Sequence, residues 1–255
     1  MKTDLHIHSK NSDGALGQEM IVDIYTSSGD VIAFGDHNTS ELDSLATKKA
    51  DEKGVIIIPG VAEISTDISE DKKIHLVGYG MTQLEAELED FFQRYSKEKT
   101  EQAKKRCVES TRNPLKLKSG AQISISFEEM QEYFPGKPTY FWNDMFTILA
   151  DKFNHSRRRE ENPFMELQDA RGLLLGLKET YEKFKDSCIG LEKHLWRTDH
   201  PIKHLPINKV KELIKNSGGL ICLPHPGQYK LRKKEIQEIN PDALEVYSPK
   251  NNIHT

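Results

Sequence analysis

Hydrophobic positions over residues 1–81 alternate between short unbroken runs and helical stripes. Residues 2–7 read as a first strand. The stretch from about Gly17 to Ser28 reads as a helix with Met20, Ile21, Ile24 and Tyr25 on one face. Val31-Ile32-Ala33-Phe34-Gly35 is an apolar run of the buried-strand type. A second helix is expected from Ser40, with Ser40 as N-cap, Asp43 in the capping-box position, and Leu42, Leu45 and Ala46 buried. Two more strands follow over 55–64 and 73–79. This β-α-β-α-β order with short connections predicts parallel strands covered by helices.

Residues 82–204 carry a different pattern. Leu84 to Thr111 reads as one long helix or two, rich in Glu and Lys, with Leu84, Leu88, Phe91, Phe92 and Tyr95 on one face. Asn113-Pro114 breaks it. Ser126 to Met130 looks like a helix start and Phe134-Pro135-Gly136 a stop, with further helical patterns over 142–155 and 164–185. The segment shows no strong strand signal and is expected to be a mainly helical insertion. The α/β pattern resumes at 205–255. A helix runs from Pro206 to Ser217, Gly218-Gly219 ends it, and a strand covers 220–224. A short helix around 230–239 then leads to a sixth strand over 242–247.

At 255 residues the chain is long enough to bury a proper core. A net charge of −4 argues neither for nor against a nucleic-acid partner. No apolar stretch has membrane-spanning length, which predicts no membrane partner. Cys107, Cys188 and Cys222 lie far apart without C-x-x-C spacing, so neither a zinc ribbon nor a disulfide framework is expected, and a cytoplasmic home is.

The histidines change the picture by where they fall. His6 and His8 lie two apart on the first strand, so both project to one face and can converge on one ion, with Asp13-Gly14 supplying an oxygen soon after. The run at 31–35 delivers Asp36-His37. The run at 55–62 is followed by Glu63, His75 sits inside the next, and the late strand ends in His225-Pro226-Gly227. One histidine beside a strand is commonly a core residue. Four strands that each present a His or Glu near their ends point to a metal, because buried imidazoles and carboxylates are costly unless paired or ligated.

In order and spacing, Asp4-Leu5-His6-Ile7-His8-Ser9 with Asp13-Gly14, Gly35-Asp36-His37-Asn38-Thr39, Gly60-Val61-Ala62-Glu63-Ile64-Ser65, His75-Leu76-Val77-Gly78-Tyr79 and Pro224-His225-Pro226-Gly227 form a set. Gly218-Gly219 and Leu244-Glu245-Val246-Tyr247 extend it. The set resembles the PHP (polymerase and histidinol phosphatase) family of metal-dependent phosphoesterases, over about residues 1–80 and 205–250. The resemblance implies a distorted seven-stranded (β/α) TIM-like barrel formed by 1–81 and 205–255, interrupted by the insertion at 82–204. Its site would lie at the C-terminal strand ends. It implies two or three divalent ions, zinc, manganese or iron. His6 and His8 would bind the first, Glu63 would bridge first and second, and His75 and His225 would complete the second. Asp13 and His37 would bind a third, or the phosphate in its absence. Glu63, Asp13 and His37 are thus the expected catalytic residues, serving hydrolysis of a phosphate mono- or diester by a metal-activated water.

One feature of the family is absent. Its last strand carries an Asp-x-His, and no Asp-x-His follows Glu245; the tail offers only His254. The last strand is therefore expected to be missing or altered, in a chain cut short, in the front part of a larger protein, or in a reduced member with fewer ions. The substrate expectation is a phosphorylated small molecule, a nucleotide or a nucleic-acid end. In the insertion, Lys104-Lys105-Arg106, Arg112, Lys116, Lys118 and Arg157-Arg158-Arg159 flank Tyr140, Phe141 and Trp142, a combination able to hold a single strand by charge and stacking. Interspersed glutamates make a solvated helical face the blander reading. A PHP module that binds a partner or phosphorylated ligand without robust catalysis, perhaps beside a further domain, is the competing function. Amidohydrolases also use His-x-His on a barrel strand, but no strand lysine stands ready to bridge their metals.

Overall fold

The computed structural model describes residues 1–14, 16–69, 72–116, 120, 122–141, 144–145, 147–149, 151–152 and 202–246. The chain divides into two compact units, one of residues 1–96 with 202–255 and one of residues 97–201.

In the first unit β1 (Thr3–Ile7), α1 (Gln18–Tyr25), β2 (Val31–Phe34), α2 (Ser44–Lys53) and β3 (Ile56–Ile57) form a parallel sheet in the order β1-β2-β3. Ile21, Val22, Ile32, Phe34, Ala46, Ala50 and Val55 fill the space between strands and helices. Helix α2 starts later than the sequence suggests. Asp43, not Ser40, is its N-cap, and its carboxylate accepts the Leu45 N–H at 2.8 Å. Asp43 backbone N–H is itself held by Gln18 Oε1 at 2.8 Å, so residues 40–43 belong to the loop before the helix.

A second sheet has the order β10-β9-β5-β4-β8, made of β4 (Ala62–Ser69), β5 (Lys72–Tyr79), β8 (Leu205–Pro206), β9 (Leu220–Leu223) and β10 (Ala243–Leu244). The parallel arrangement expected of the β-α-β-α-β order does not extend to β5, which runs antiparallel to both β4 and β9. The reason is chain length: β4 ends at Ser69 and β5 begins at Lys72, far too close for the crossover a parallel pair requires. Between β3 and β4 the chain kinks at Gly60, whose φ is 62° and where a Cβ would stand 2.3 Å from the Met81 carbonyl oxygen. Only glycine fits this turn, which re-aims the chain so that Glu63 enters the second sheet.

The two sheets touch at one parallel bridge, His37 to Glu63. Among the described residues no sheet closes into a barrel, and no strand pairs with the outer edge of β1 or of β10. The fold is a mixed α/β arrangement with helices α5 (Ile207–Asn216) and α6 (Lys233–Ile239) beside the second sheet. The expected sixth strand is, among the described residues, only the two residues of β10, and the predicted helix at 230–239 is α6, preceded by a 3₁₀ turn (Pro226–Tyr229).

Helix α3 (Ala86–Arg112) is one continuous helix. Its residues through Ser96 belong to the first unit, where Leu88, Phe91, Phe92 and Tyr95 are buried. In the second unit α4 (Phe127–Tyr133) carries a full capping box between Ser126 and Glu129. The sequence did not signal the small hairpin of β6 (Leu115–Lys116) and β7 (Gln122–Ile123) there. Tyr140 and Phe141 are 6% exposed and sit among core side chains, so they present no stacking surface. Trp142, Lys118, Arg157, Arg158, Arg159, Cys188, Tyr247 and His254 lie outside the described residues, as does the pattern at 164–185. Among the described residues no helix is long and apolar enough to cross a membrane.

Candidate metal centre

Each predicted ligand reaches the same place by a different backbone device. His6 lies on β1 and His8 just beyond it, and their Nε2 atoms are 3.2 Å apart. Gly35 makes this possible: a Cβ there would lie 2.7 Å from His6 Cδ2 and push the ring away. The loop after His8 is folded back by Asp36, 1% exposed. That carboxylate accepts from Ser9 N, Ser9 Oγ and Ser12 Oγ at 2.6 Å each and from Gln18 Nε2 at 3.1 Å. The loop so anchored brings Asp13 Oδ1 to 3.2 Å from His8 Nδ1 and 3.6 Å from His37 Nε2.

His37 is fixed by the bridge to β4. Glu63 N donates to Asp36 O at 3.0 Å and Asn38 N donates to Glu63 O at 2.8 Å. Asn38 takes a left-handed φ of 51° and locks its amide onto Ser65, accepting from Ser65 N at 3.0 Å and donating to Ser65 Oγ at 3.1 Å. His75 stands opposite Ser65 on β5, and its backbone N–H donates to Tyr229 Oη at 3.1 Å. His225 follows β9 in a left-handed conformation.

Glu63, fully buried, is the hub. Its Oε1 faces His75 Nδ1 at 2.9 Å, His225 Nε2 at 3.0 Å and His6 Nε2 at 3.6 Å. Its Oε2 faces His37 Nδ1 at 2.9 Å and His8 Nε2 at 3.4 Å. All seven predicted ligands thus converge. They sort into three sets whose donor atoms lie within 4.8 Å of one another: His6, Glu63 and His225; His8, Asp13 and His37; His37, Glu63 and His75. The partition differs in part from the expected one, since His225 groups with His6, and His8 with Asp13 and His37.

The electrostatics follow from one buried carboxylate among many rings. Burial opposes ionisation of Glu63, but hydrogen bonding from His225, His37, His6 and His75 holds its pKa well below the usual carboxylate range. Burial likewise opposes charge on His37, yet Asp13 and Glu63 push its pKa up to about 10. His6 is raised against its burial by Glu63 and, less, by Glu245. For His75 burial wins, and its pKa is lowered.

The residues fit divalent cations. Glu63 Oε2, His75 Nδ1 and His225 Nδ1 are buried without an aligned hydrogen-bond partner, though rings crowd the carboxylate at short range. Atoms that approach closely but do not point along donor–acceptor lines are what a shared cation would organise. The 3.2 Å gap between His6 and His8 nitrogens also suits two ligands of one ion. Bonds of about 2.0–2.1 Å at a tetrahedral angle place such nitrogens roughly 3.3–3.4 Å apart. Mixed imidazole and carboxylate donors favour zinc, manganese or iron over calcium.

Three supporting residues were not singled out from sequence. In the sequence Asp36 stands out only as the neighbour of His37, Tyr229 gives no signal, and Glu245 belongs to the Leu244–Tyr247 stretch of the family resemblance without a role of its own.

No protein-family model matches the chain, and no curated protein matches it significantly. Solved structures do. A crystal structure from Bifidobacterium adolescentis, provisionally assigned as a metal-dependent phosphoesterase, superposes with a TM-score of 0.66 at 17% identity, covering 98% of this chain and 80% of that one. An amidohydrolase from Chromobacterium violaceum, solved with sulfate and no metal, gives 0.64 at 17% identity, covering 95% of this chain and 75% of that one. The chain shares their fold. At the level of fold, this agrees with the resemblance to PHP-type phosphoesterases.

Proposed function

We propose that this protein is a metal-dependent phosphoesterase that hydrolyses a phosphate mono- or diester. The observation that carries the reading is the convergence of five imidazoles on the buried Glu63 carboxylate, with Asp13 beside two of them. The fold likeness to a provisionally assigned phosphoesterase supports it. The donor set suits two or three ions of zinc, manganese or iron, with His6, His8, Asp13, His37, Glu63, His75 and His225 as ligands. The chemistry such ions supply when bound is activation of a water near neutral pH and neutralisation of phosphoryl charge.

The chain's own groups set up that chemistry. Glu63 stays ionised at neutral pH and offers one oxygen to each side of the cluster. Its backbone, bonded to Asp36 and Asn38, leaves the carboxylate little room to move. His37 and Asp13 flank the other side. Without a cation beside it, the protonated His37 ring is favoured by Asp13 and Glu63, which face its two nitrogens. No serine or cysteine nucleophile is required. A nucleotide or nucleic-acid end would be an acceptable ester, and a cytoplasmic location suits the cysteine content.

The test is elemental analysis of protein purified without added ions, with hydrolysis of bis(4-nitrophenyl) phosphate and 4-nitrophenyl phosphate on the same sample, before and after manganese or zinc is returned. Two or more equivalents with turnover are expected. Bound metal without turnover of either ester would move the reading to a metal-stabilised binding module. No bound metal under any condition would end it.

A further inference from the structure

Glu245 stands just past the end of β10, where the parallel pairing with β9 gives out. Its backbone N–H donates to Leu223 O at 3.0 Å, continuing the ladder by one bond. Its side chain then makes the next contact: Oε2 accepts the backbone N–H of His225 at 2.6 Å. That N–H belongs to a residue at φ 30° and ψ 56°, a left-handed conformation that side-chain-bearing residues rarely adopt. The conformation turns the His225 ring so that its Nε2 lies 3.0 Å from Glu63 Oε1. A charged acceptor on the peptide N–H is a strong tether, and here it holds a strained backbone at a cluster of donors.

The same oxygen has a second neighbour. Glu245 Oε2 is 3.6 Å from His6 Nδ1, the ring nitrogen opposite the Nε2 that meets His8 and Glu63. A carboxylate on the outer nitrogen of a ligating imidazole fixes its tautomer and orientation and raises its basicity. His6 and His225 belong to one donor set with Glu63, and their rings stack at 5.8 Å with an interplanar angle of 17°. One carboxylate therefore addresses the backbone of one ring and the outer nitrogen of the other.

We propose that Glu245 is a positioning residue for the His6–Glu63–His225 set and strengthens its hold on a divalent cation. It acts through the two imidazoles, because its oxygen faces Nδ1 of His6 and not the side where Nε2 meets Glu63. The role rests on the metal-centre reading above and needs no particular substrate.

The test is zinc and manganese binding by the metal-stripped full chain, measured by competition with a chromophoric chelator, for the parent, Glu245→Gln and Glu245→Ala. Loss of an outer carboxylate in such an arrangement costs about 10–100-fold in metal affinity, and Glu245→Ala is expected in that range. Glu245→Gln keeps an acceptor for the His225 N–H but loses the charge beside His6, so it is expected to fall between parent and alanine variant. Thermal unfolding of the stripped proteins is read in parallel. Weakened binding by a glutamine variant that unfolds at the parent's temperature separates positioning from plain structural support. Both variants binding as tightly as the parent would overturn the role while leaving the centre intact. A parent that binds neither cation would overturn the centre itself, and the role with it.

Discussion

Lys137 and Asp144, in the unit of residues 97–201, meet at 2.6 Å with side chains 0% and 4% exposed. Asp144 also accepts the Phe141 backbone N–H at 2.7 Å, and the ammonium lies 5.2 and 5.7 Å from the ring centres of Phe134 and Phe141. One cation faces one anion, with aligned hydrogen bonds and aromatic faces around the ammonium. In the other unit Glu63 is equally buried but faces five imidazoles, with its Oε2 lacking an aligned donor. Among the described residues the first cluster pairs one buried cation with one buried anion through an aligned hydrogen bond. The second holds more nitrogen donors than one carboxylate can satisfy. That surplus is the physical difference between a structural ion pair and a site made for a cation, because burying unpaired polar groups costs stability unless something recovers it.

The comparison breaks most visibly at Glu63. Glu63→Gln removes the charge shared by two of the three donor sets, and the expected outcome is loss of bound metal and of any ester hydrolysis. Elemental analysis after gel filtration, beside a hydrolysis assay, checks it. A glutamine variant with the parent's metal content and turnover would remove Glu63 from its central place. At Lys137 the expectation is different in kind. Lys137→Met removes the ammonium that faces the buried Asp144 and should cost up to roughly 3–5 kcal/mol, whereas the double change Lys137→Met with Asp144→Leu should recover much of that loss. Urea unfolding of the three proteins decides. Metal content should not change in either.

Legibility from sequence followed the same division. The seven candidate donors that the structure brings together were readable because each stands at or near the end of an apolar run, where side-chain alternation fixes direction. His6 and His8 need only period-two geometry to converge. What holds them was not readable. Asp36 looks like the neighbour of His37, and nothing local says that its four donors come from Ser9, Ser12 and Gln18. Tyr229 and Glu245 act across the sheet from positions far along the chain. The direction of β5 is not legible because the apolar run alone does not reveal how far β4 extends, and that extension leaves room only for a hairpin. Tyr140 and Phe141 looked like a nucleic-acid platform because the sequence places them between basic groups; packing buries them.

Asp36 offers a smaller test, directed at the scaffold and not at the cluster. Asp36→Asn keeps the shape but turns one oxygen into a donor that meets a donor already in place, Ser9 N–H at Oδ1 or Gln18 Nε2 at Oδ2. The expected loss is on the order of 2–3 kcal/mol. Since the anchored loop carries Asp13, metal affinity of the His8–Asp13–His37 set should fall with it, while the His6–Glu63–His225 set should be spared. Chemical denaturation and a metal titration resolving separate binding steps read the two effects. Equal weakening of every step would mean that the loop is coupled to the whole cluster.

The last expectation concerns protons standing where a cation would stand. In the metal-stripped protein the pKa of His37 is raised from 6.5 to about 10. A group with a raised folded pKa contributes stability that is complete below its unfolded pKa and is lost as pH rises through the folded one. Asp13 is shifted the other way, below its ordinary 3.8, so its share is present above that value and lost as pH falls. Their mutual stabilisation is therefore fullest from about pH 4 to 6.5 and fades towards pH 10. Between pH 7 and 10 the stripped protein should lose at least about 1.4 kcal/mol of stability, the worth of one pKa unit. The loaded protein should not show this loss, since a cation in place of the proton is not removed by alkali over that range. Loading at pH 8 should in turn release protons, measurable as a binding heat that changes with the ionisation enthalpy of the buffer. His37→Gln should abolish the alkaline loss and reduce the proton release. Stripped and loaded proteins with the same alkaline limb would mean that His37 does not exchange its proton for a cation, and the cluster would then resemble the ion pair of Lys137 and Asp144 more than its donor surplus suggests.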